Sequence, residues 1–298
     1  MQMRVCPPVR ALRSTVLGCL LAGATLTAAA DDWQFNPRVQ LGSEYNDNYR
    51  LFPAGQQDHV YGFYTNSQLQ FRYLTPVDDI SLTPAVYGVV FPDSSVDNTA
   101  DPSVVFQWNR TAQTYKAGLF AQYLNQSIVE ANATNAGTAN NQLGNPTAGD
   151  TGLSTQRERR TLTDVAPTFT WDFTQREHLQ AGGEYDNVTF GKNLPGFSVG
   201  YNSVNGNLGV VSDVTQRSSI VVMALASQYN PQGGFAASTS VGGMGEWDYH
   251  TSQTSKAYLR AGAERTTFGT AANVPSSPPT TNVVAGAGVN WKIGRAHV

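Results

Sequence analysis

Residues 196–200 read GFSVG, which matches the G-x-S-x-G pattern of a serine nucleophile. In hydrolases that use this pattern, the serine sits on a sharp turn between a strand and a helix. Here bulky residues at 197, 199 and 201 alternate with Ser198 and Gly200. That alternation predicts a strand running through the motif, so we expect Ser198 to face the interior of the fold as a structural residue.

The histidines are the next candidates for chemistry. His59, His178 and His250 stand far apart in the sequence, each near the end of a predicted strand or in a turn. A metal site needs several ligands that converge, and a catalytic triad needs serine, histidine and an acid or amide in contact. Because no local pattern supplies either set, we predict no catalytic residue, no metal site, no cofactor and no enzymatic activity. An outer-membrane lipase, protease or deacylase is the alternative, and it requires the fold to bring such groups together.

Two further motifs have plain interpretations. Asp47 and Asn48 carry oxygen atoms that a cation can bind, but both residue types also favour turns, and we predict that they shape the entry to a loop. The stretch VVAGAGVN at 283–290 resembles part of a dinucleotide loop. It lacks the third glycine and a following helix, so we predict a strand of small residues.

The elements that must position these residues show a period of two. From Tyr61 to Tyr73, mostly apolar residues at odd positions alternate with mostly polar residues at even positions. This length suits a tilted membrane strand, which needs about 9 to 11 residues. The same alternation recurs along the chain and predicts twelve strands, at roughly 33–50, 59–74, 80–91, 103–109, 113–124, 160–173, 177–190, 197–211, 217–229, 235–248, 255–268 and 282–292.

Composition and loop lengths favour a membrane β-barrel over a soluble sheet protein. Of the 298 residues, 40% are apolar and only 14% are charged, yet no apolar run after the N-terminus is long enough for a membrane helix. The predicted links alternate between short turns and a class that includes longer loops, the longest at about 125–159. Short turns on one side and longer loops on the other are typical of outer-membrane barrels. The predicted fold is therefore an all-β, antiparallel transmembrane barrel of about twelve strands.

The alternation also assigns side chains to the two faces of the barrel. Polar residues on the inward register are predicted to line a pore, and they are Gln40, Glu44, Gln68, Gln70, Arg72, Lys116, Gln180, Glu184, Arg260 and Glu264. Five tryptophans fall at the periplasmic ends of the predicted strands, where indole rings favour the membrane interface. These are Trp33, Trp108, Trp171, Trp247 and Trp291.

The two ends of the chain differ from the rest. Residues 1–30 combine three arginines, a short apolar stretch and Ala28–Ala30, which predicts a secretory signal peptide. VLGC at 16–19 leaves a lipoprotein signal as the alternative. Both cysteines lie in this segment, so the mature chain has no thiol chemistry, and its net charge is about −6, with no basic block for nucleic acid. The barrel is predicted over 31–292, and the tail at 293–298 breaks the alternation, which suggests a non-native or truncated C-terminus.

The sequence resembles bacterial outer-membrane β-barrel proteins over most of the mature chain. More narrowly, SEYNDNYRL at 43–51 is similar to the first strand of uncharacterised porin-like barrels associated with exopolysaccharide and exosortase (PEP-CTERM) systems. In those proteins an aromatic-x-Asp-Asn element closes the first strand, here Tyr45, Asp47 and Asn48. The resemblance implies an outer-membrane location and a link to envelope polysaccharide, and it carries over no catalytic residue.

These observations predict a porin-like passive channel or a polysaccharide-associated envelope protein in the bacterial outer membrane. A structural or adhesive barrel that binds surface polysaccharide through its long loop is the remaining alternative. The expected partners are outer-membrane lipid and lipopolysaccharide, the barrel-assembly machinery, and polysaccharide or small solutes. Nucleic acid is not expected as a partner.

Overall fold

Twelve β-strands make up almost all of the described structure. The computed structural model describes residues 32–46, 60–92, 98–127, 159–191, 199–252, 254–270 and 277–291. The strands are β1 (Asp32–Asn46), β2 (Val60–Leu74), β3 (Asp78–Val90), β4 (Thr99–Thr111), β5 (Tyr115–Ser127), β6 (Arg159–Asp172), β7 (Glu177–Phe190), β8 (Tyr201–Thr215), β9 (Ser218–Pro231), β10 (Ser238–His250), β11 (Ser255–Phe268) and β12 (Thr280–Trp291). Within the described ranges, no helix has the length and apolarity needed to cross a membrane.

All twelve strands belong to one antiparallel sheet, in which each strand pairs with the next along the chain. The prediction of an all-β antiparallel fold with twelve strands is confirmed. β1 and β12 are the two edge strands, and the described residues contain no hydrogen-bonded pairing between them. The sheet therefore has the strand order of an up-and-down barrel without being closed.

The two faces of the sheet differ sharply in polarity. We call the face that carries Glu184 the inner face and the opposite one the outer face. Large apolar side chains project outward and stay exposed along the strands, as with Trp33 at 73%, Leu208 at 53% and Leu259 at 55% exposure. Buried apolar residues are few and form two small groups on the inner face, around Val89 and Val188. The described strands are therefore apolar outside, as the alternation predicts, and their residues form no packed apolar centre.

Four of the short turns contain the same type of side-chain hydrogen bond. In each, a Thr or Ser hydroxyl accepts a hydrogen bond from the backbone N–H two residues later, which stabilises a tight turn. The donor–acceptor pairs, each 3.2 Å apart, are Val77 N to Thr75 Oγ1, Arg176 N to Thr174 Oγ1, Arg217 N to Thr215 Oγ1, and Thr254 N to Ser252 Oγ. These turns all lie at the end of the sheet that the sequence analysis predicts to be periplasmic. At the opposite end, Gly233 and Gly234 adopt positive φ between β9 and β10.

Glycines in the three similar phrases HLQAGGEY, VQLGSEY and YLRAGAE allow close approach between strands. A Cβ at Gly42 would overlap the ring of Tyr64, which lies directly opposite on β2. At Gly182 it would come 3.0 Å from Asn207 Nδ2, and at Gly262 2.6 Å from a backbone carbonyl oxygen of β10. The phrases therefore share a glycine whose missing side chain leaves room for a neighbour.

Several predicted boundaries are wrong. β4 begins at Thr99 and ends at Thr111, well beyond the predicted 103–109. β8 begins at Tyr201, so the predicted strand through GFSVG is wrong for Val199 and Gly200, while Ser198 lies outside the described residues. β5 continues to Ser127, and the segment predicted as a long loop is described only at its strand ends. The predicted signal peptide, the Asp47–Asn48 element and the tail at 293–298 also fall outside the described residues.

Candidate functional site

The inner face carries a polar cavity of about 650 Å³, which we call the recess. Five consecutive strands, β4 to β8, supply its walls. Amide side chains, one hydroxyl, one aromatic ring and two carboxylates dominate its lining, and none of the lining residues is basic. The lining residues with polar or aromatic side chains are Gln107, Asn109, Phe120, Gln122, Asp164, Thr168, Glu184, Asn205 and Asn207.

Glycines keep the recess open. A Cβ at Gly118 would lie 2.6 Å from Thr168 Oγ1 and 3.3 Å from Asn109 Oδ1. At Gly182, as described above, it would crowd the amide of Asn207. Even one methyl group at these positions would displace polar side chains of the wall. The two glycines therefore leave space free in front of the carboxylates.

The β6–β7 hairpin places three acids together. Asp164 on β6 lies directly opposite Asp186 on β7, and Glu184 is the preceding inner-face residue of β7. One carboxylate oxygen from each residue lies within 4.8 Å of the other two. Like charges directly opposite each other destabilise a strand pair. Oxygen atoms grouped in this way are also the ligands that hard cations bind.

The three acids differ in their surroundings. Asp186 is only 3% exposed and accepts a hydrogen bond of 3.0 Å from Ser203 Oγ on β8. Asp164 lines the recess, and its Oδ1 atom is buried without a hydrogen-bond partner among the described residues. Four residues earlier on the same strand and face, Arg160 is 1% exposed. The β6–β7 wall therefore carries buried charge beside the neutral polar groups that line the rest of the recess.

Two other groups of inner-face acids are paired with bases. Arg72 donates two hydrogen bonds to Asp79, with Nε–Oδ1 at 2.8 Å and Nη2–Oδ2 at 2.6 Å. Lys256 Nζ lies 2.8 Å from Asp248 Oδ2 and 3.6 Å from a carboxylate oxygen of Glu246. Since these pairs neutralise their own carboxylates, they contrast with Asp164 and Glu184, which face a recess without a basic residue in its lining.

We expect Lys256→Met to lower the free energy of unfolding by about 1–3 kcal/mol. The Asp248 side chain is only 10% exposed, so it would lose its cation where water cannot fully replace it. Urea unfolding of the protein folded in lipid vesicles measures the loss. Arg72→Met is the matched control. Because both partners of that pair are more than a third exposed, we expect a loss below about 1 kcal/mol. Equal losses would contradict the difference in burial.

The prediction that every histidine is isolated is wrong for His178. Its Nδ1 lies 2.7 Å from Asp172 Oδ1 across the β6–β7 hairpin, and its Nε2 lies 3.6 Å from Asp213 Oδ2. His250 lines a second cavity of about 330 Å³ at the short-turn end, together with Arg176, Asp213 and Ser219. His59 lies outside the described residues. These contacts were not predicted from the sequence, because they depend on the register between strands.

All ten residues predicted to line a pore take inner-face positions in the observed register. Only Glu184 among them lines the recess. Arg72 on β2 and Lys116 on β5 lie on the same face outside the recess, and Arg260 lies directly opposite Glu246. Whether these residues line an open pore stays a prediction.

The five tryptophans all occupy the same end of their strands, where the short turns lie. Trp33 is the second residue of β1, and Trp291 is the last residue of β12. Two indole N–H groups donate to polar partners, Trp108 to Asp78 Oδ1 at 3.1 Å and Trp247 to Ser218 Oγ at 2.7 Å. This arrangement suits a membrane–water interface, where the indole ring lies in apolar surroundings and its N–H in polar ones. The interfacial role of the tryptophans stays a prediction.

Comparisons with known proteins find similarity in structure alone. No protein-family model and no curated protein sequence matches the chain. Solved structures of OmpT, an outer membrane protein of Vibrio cholerae, do match it. The variant that lacks loop L8 is 8% identical with a TM-score of 0.43, and the match covers 88% of this chain and 99% of that one. OmpT expressed in the outer membrane is also 8% identical, with a TM-score of 0.42, over 90% and 99% of the two chains.

The prediction that the chain is not an enzyme requires correction. It depended on the isolation of the histidines, and His178 contacts two carboxylates. At 8% identity and a TM-score of 0.43, the matches to OmpT assign no reaction to this chain.

The chain forms one antiparallel sheet of twelve strands with an exposed apolar outer face, an arrangement that fits the predicted location in the bacterial outer membrane. The physical basis is the exposed apolar outer face, which in water would be an aggregation surface but in lipid is solvated.

Proposed function

We propose that the protein is a porin-like passive channel for hydrophilic solutes. One observation carries the proposal: the inner face presents amides, hydroxyls and charges over five or more adjacent strands, while the outer face presents apolar side chains. Rings of polar side chains select permeant solutes by size, charge and hydrogen bonding. A polar wall of this kind binds water, and a water-filled interior is the path of a passive channel.

Pairing of charges on the inner face supports the same function. Charged side chains facing hydrocarbon are costly, but Asp79, Glu246 and Asp248 and their basic partners all take inner-face positions. The free-energy cost of placing these charges in the membrane is low only if the face that carries them is in contact with water. Twelve strands enclose a modest interior, which suits small solutes.

The link to envelope polysaccharide stays a prediction from the motif at 43–51. Only the first residues of that motif are described, at the end of β1. Lipid, lipopolysaccharide and the assembly machinery are proposed partners because the apolar outer face must be inserted into, and surrounded by, the outer membrane.

Planar lipid bilayers test the channel. We expect purified, folded protein to give stepwise conductance in KCl, because ions can cross a wetted polar interior. Protein denatured by heat at the same detergent concentration is the control. Protein that is folded, as shown by heat-modifiable migration on gels, but silent at every voltage would contradict the proposal.

A further inference from the structure

We infer that the recess makes the channel select cations over anions, so that its preferred solutes are positively charged. This inference rests on the proposed function and adds the class of solute. Its basis is the wall of the recess, where carboxylates face open space without a basic residue in the lining.

Among the lining residues, Asp164 gives the strongest indication that the recess attracts a positively charged solute. Its Oδ1 atom is buried and accepts no hydrogen bond from any described residue. Such a group normally has a partner, because leaving a buried charge unpaired is unfavourable. A cation in the recess would supply the partner that the described chain does not.

The neighbouring acids reinforce the sign of the potential. Glu184 also lines the recess, and Asp186 stands directly opposite Asp164, with carboxylate oxygens of all three within 4.8 Å. A concave wall that carries charge of one sign concentrates mobile ions of the opposite sign. Asp79, Glu246 and Asp248 on the same face contribute less, because Arg72 and Lys256 neutralise them locally.

The remaining lining suits a cation that keeps part of its water shell. Amide oxygens of Gln107, Gln122 and Asn205 and the hydroxyl of Thr168 can accept hydrogen bonds from that water. Amides alone do not choose the sign of the solute, because they also carry donors. The carboxylates decide the sign, and the glycines at 118 and 182 keep the space in front of them free.

Reversal potentials across a KCl gradient test the inference, with K⁺ and Cl⁻ as the probes. We expect the wild-type channel to prefer K⁺, and the double variant Asp164→Asn/Glu184→Gln to lower the permeability ratio about tenfold, toward one. Both changes keep side-chain size, and heat-modifiable migration verifies folding. Glu177→Gln is the matched control. It removes one acid from the first position of β7, on the outer-face register, so the ratio should stay close to that of wild type.

The outcomes separate the inference from the function on which it rests. A conducting wild-type channel without preference for K⁺ overturns the inference and leaves the channel intact. A preference that survives the double variant, or that falls equally in Glu177→Gln, overturns the role of the recess. A folded wild-type protein without conductance overturns both the channel and its selectivity.

Discussion

Leu208→Arg is expected to prevent most of the protein from folding into lipid vesicles. Leu208 is the central residue of β8, lies on the outer face and is 53% exposed. An arginine facing lipid at the midplane costs about 2–4 kcal/mol, a large part of the usual stability of a folded protein. The folded fraction after dilution from urea, measured by heat-modifiable migration, should fall accordingly, and so should the free energy of unfolding.

Asn207→Arg is the matched control for this prediction. Asn207 precedes Leu208, but it faces the recess with Asp164 and Glu184. An arginine there points into water and toward acids, so we expect folding close to wild type. The same variant should reduce the preference for K⁺, because it brings a positive charge to the proposed selecting wall. Failure of both arginine variants to fold, or folding of both, would show that the two faces are wrongly assigned.

The strand count and the faces could be predicted because both depend on a local pattern. A period of two in side-chain polarity needs only neighbouring residues, and it located twelve strands. Strand ends were harder to predict. Asp101 and Pro102 resemble a loop, yet both pair with β3. On the other side of β4, Asp101 also accepts a hydrogen bond from the backbone N–H of Ser127 on β5. Such a contact between distant strands leaves no local signal.

The recess was only partly predictable from the sequence. Glu184 was assigned to the inner face because of its place in an alternating segment, but its grouping with Asp164 and Asp186 was missed. The signal exists in the turn at 173–176, since a short turn fixes which residues of β6 and β7 lie opposite each other. The pairing of Asp172 with His178 follows from the same register. The walls from β4, β5 and β8 require the curvature of the whole sheet, which no local pattern gives.

Asp164→Asn is expected to raise the free energy of unfolding by about 1–3 kcal/mol. The change removes a negative charge that faces Asp186 across the strand pair and whose Oδ1 atom has no described partner. An amide of the same shape keeps the polar wall and can donate to a neighbouring carboxylate. Urea unfolding in vesicles of neutral lipid, at low salt, measures the gain with the least screening.

Asp79→Asn separates this effect from a general benefit of removing acids. Asp79 is an inner-face acid of the same type, but Arg72 holds both of its oxygens, so we expect its replacement to leave stability unchanged or to lower it slightly. A gain in both variants would attribute the effect to net charge, and a loss in Asp164→Asn would mean that the carboxylate is stabilised in the folded protein. If only Asp164→Asn gains stability, the wild-type chain carries a carboxylate that weakens its own fold. Such a group is most readily explained by function, and here the function it fits is attracting cations into the recess.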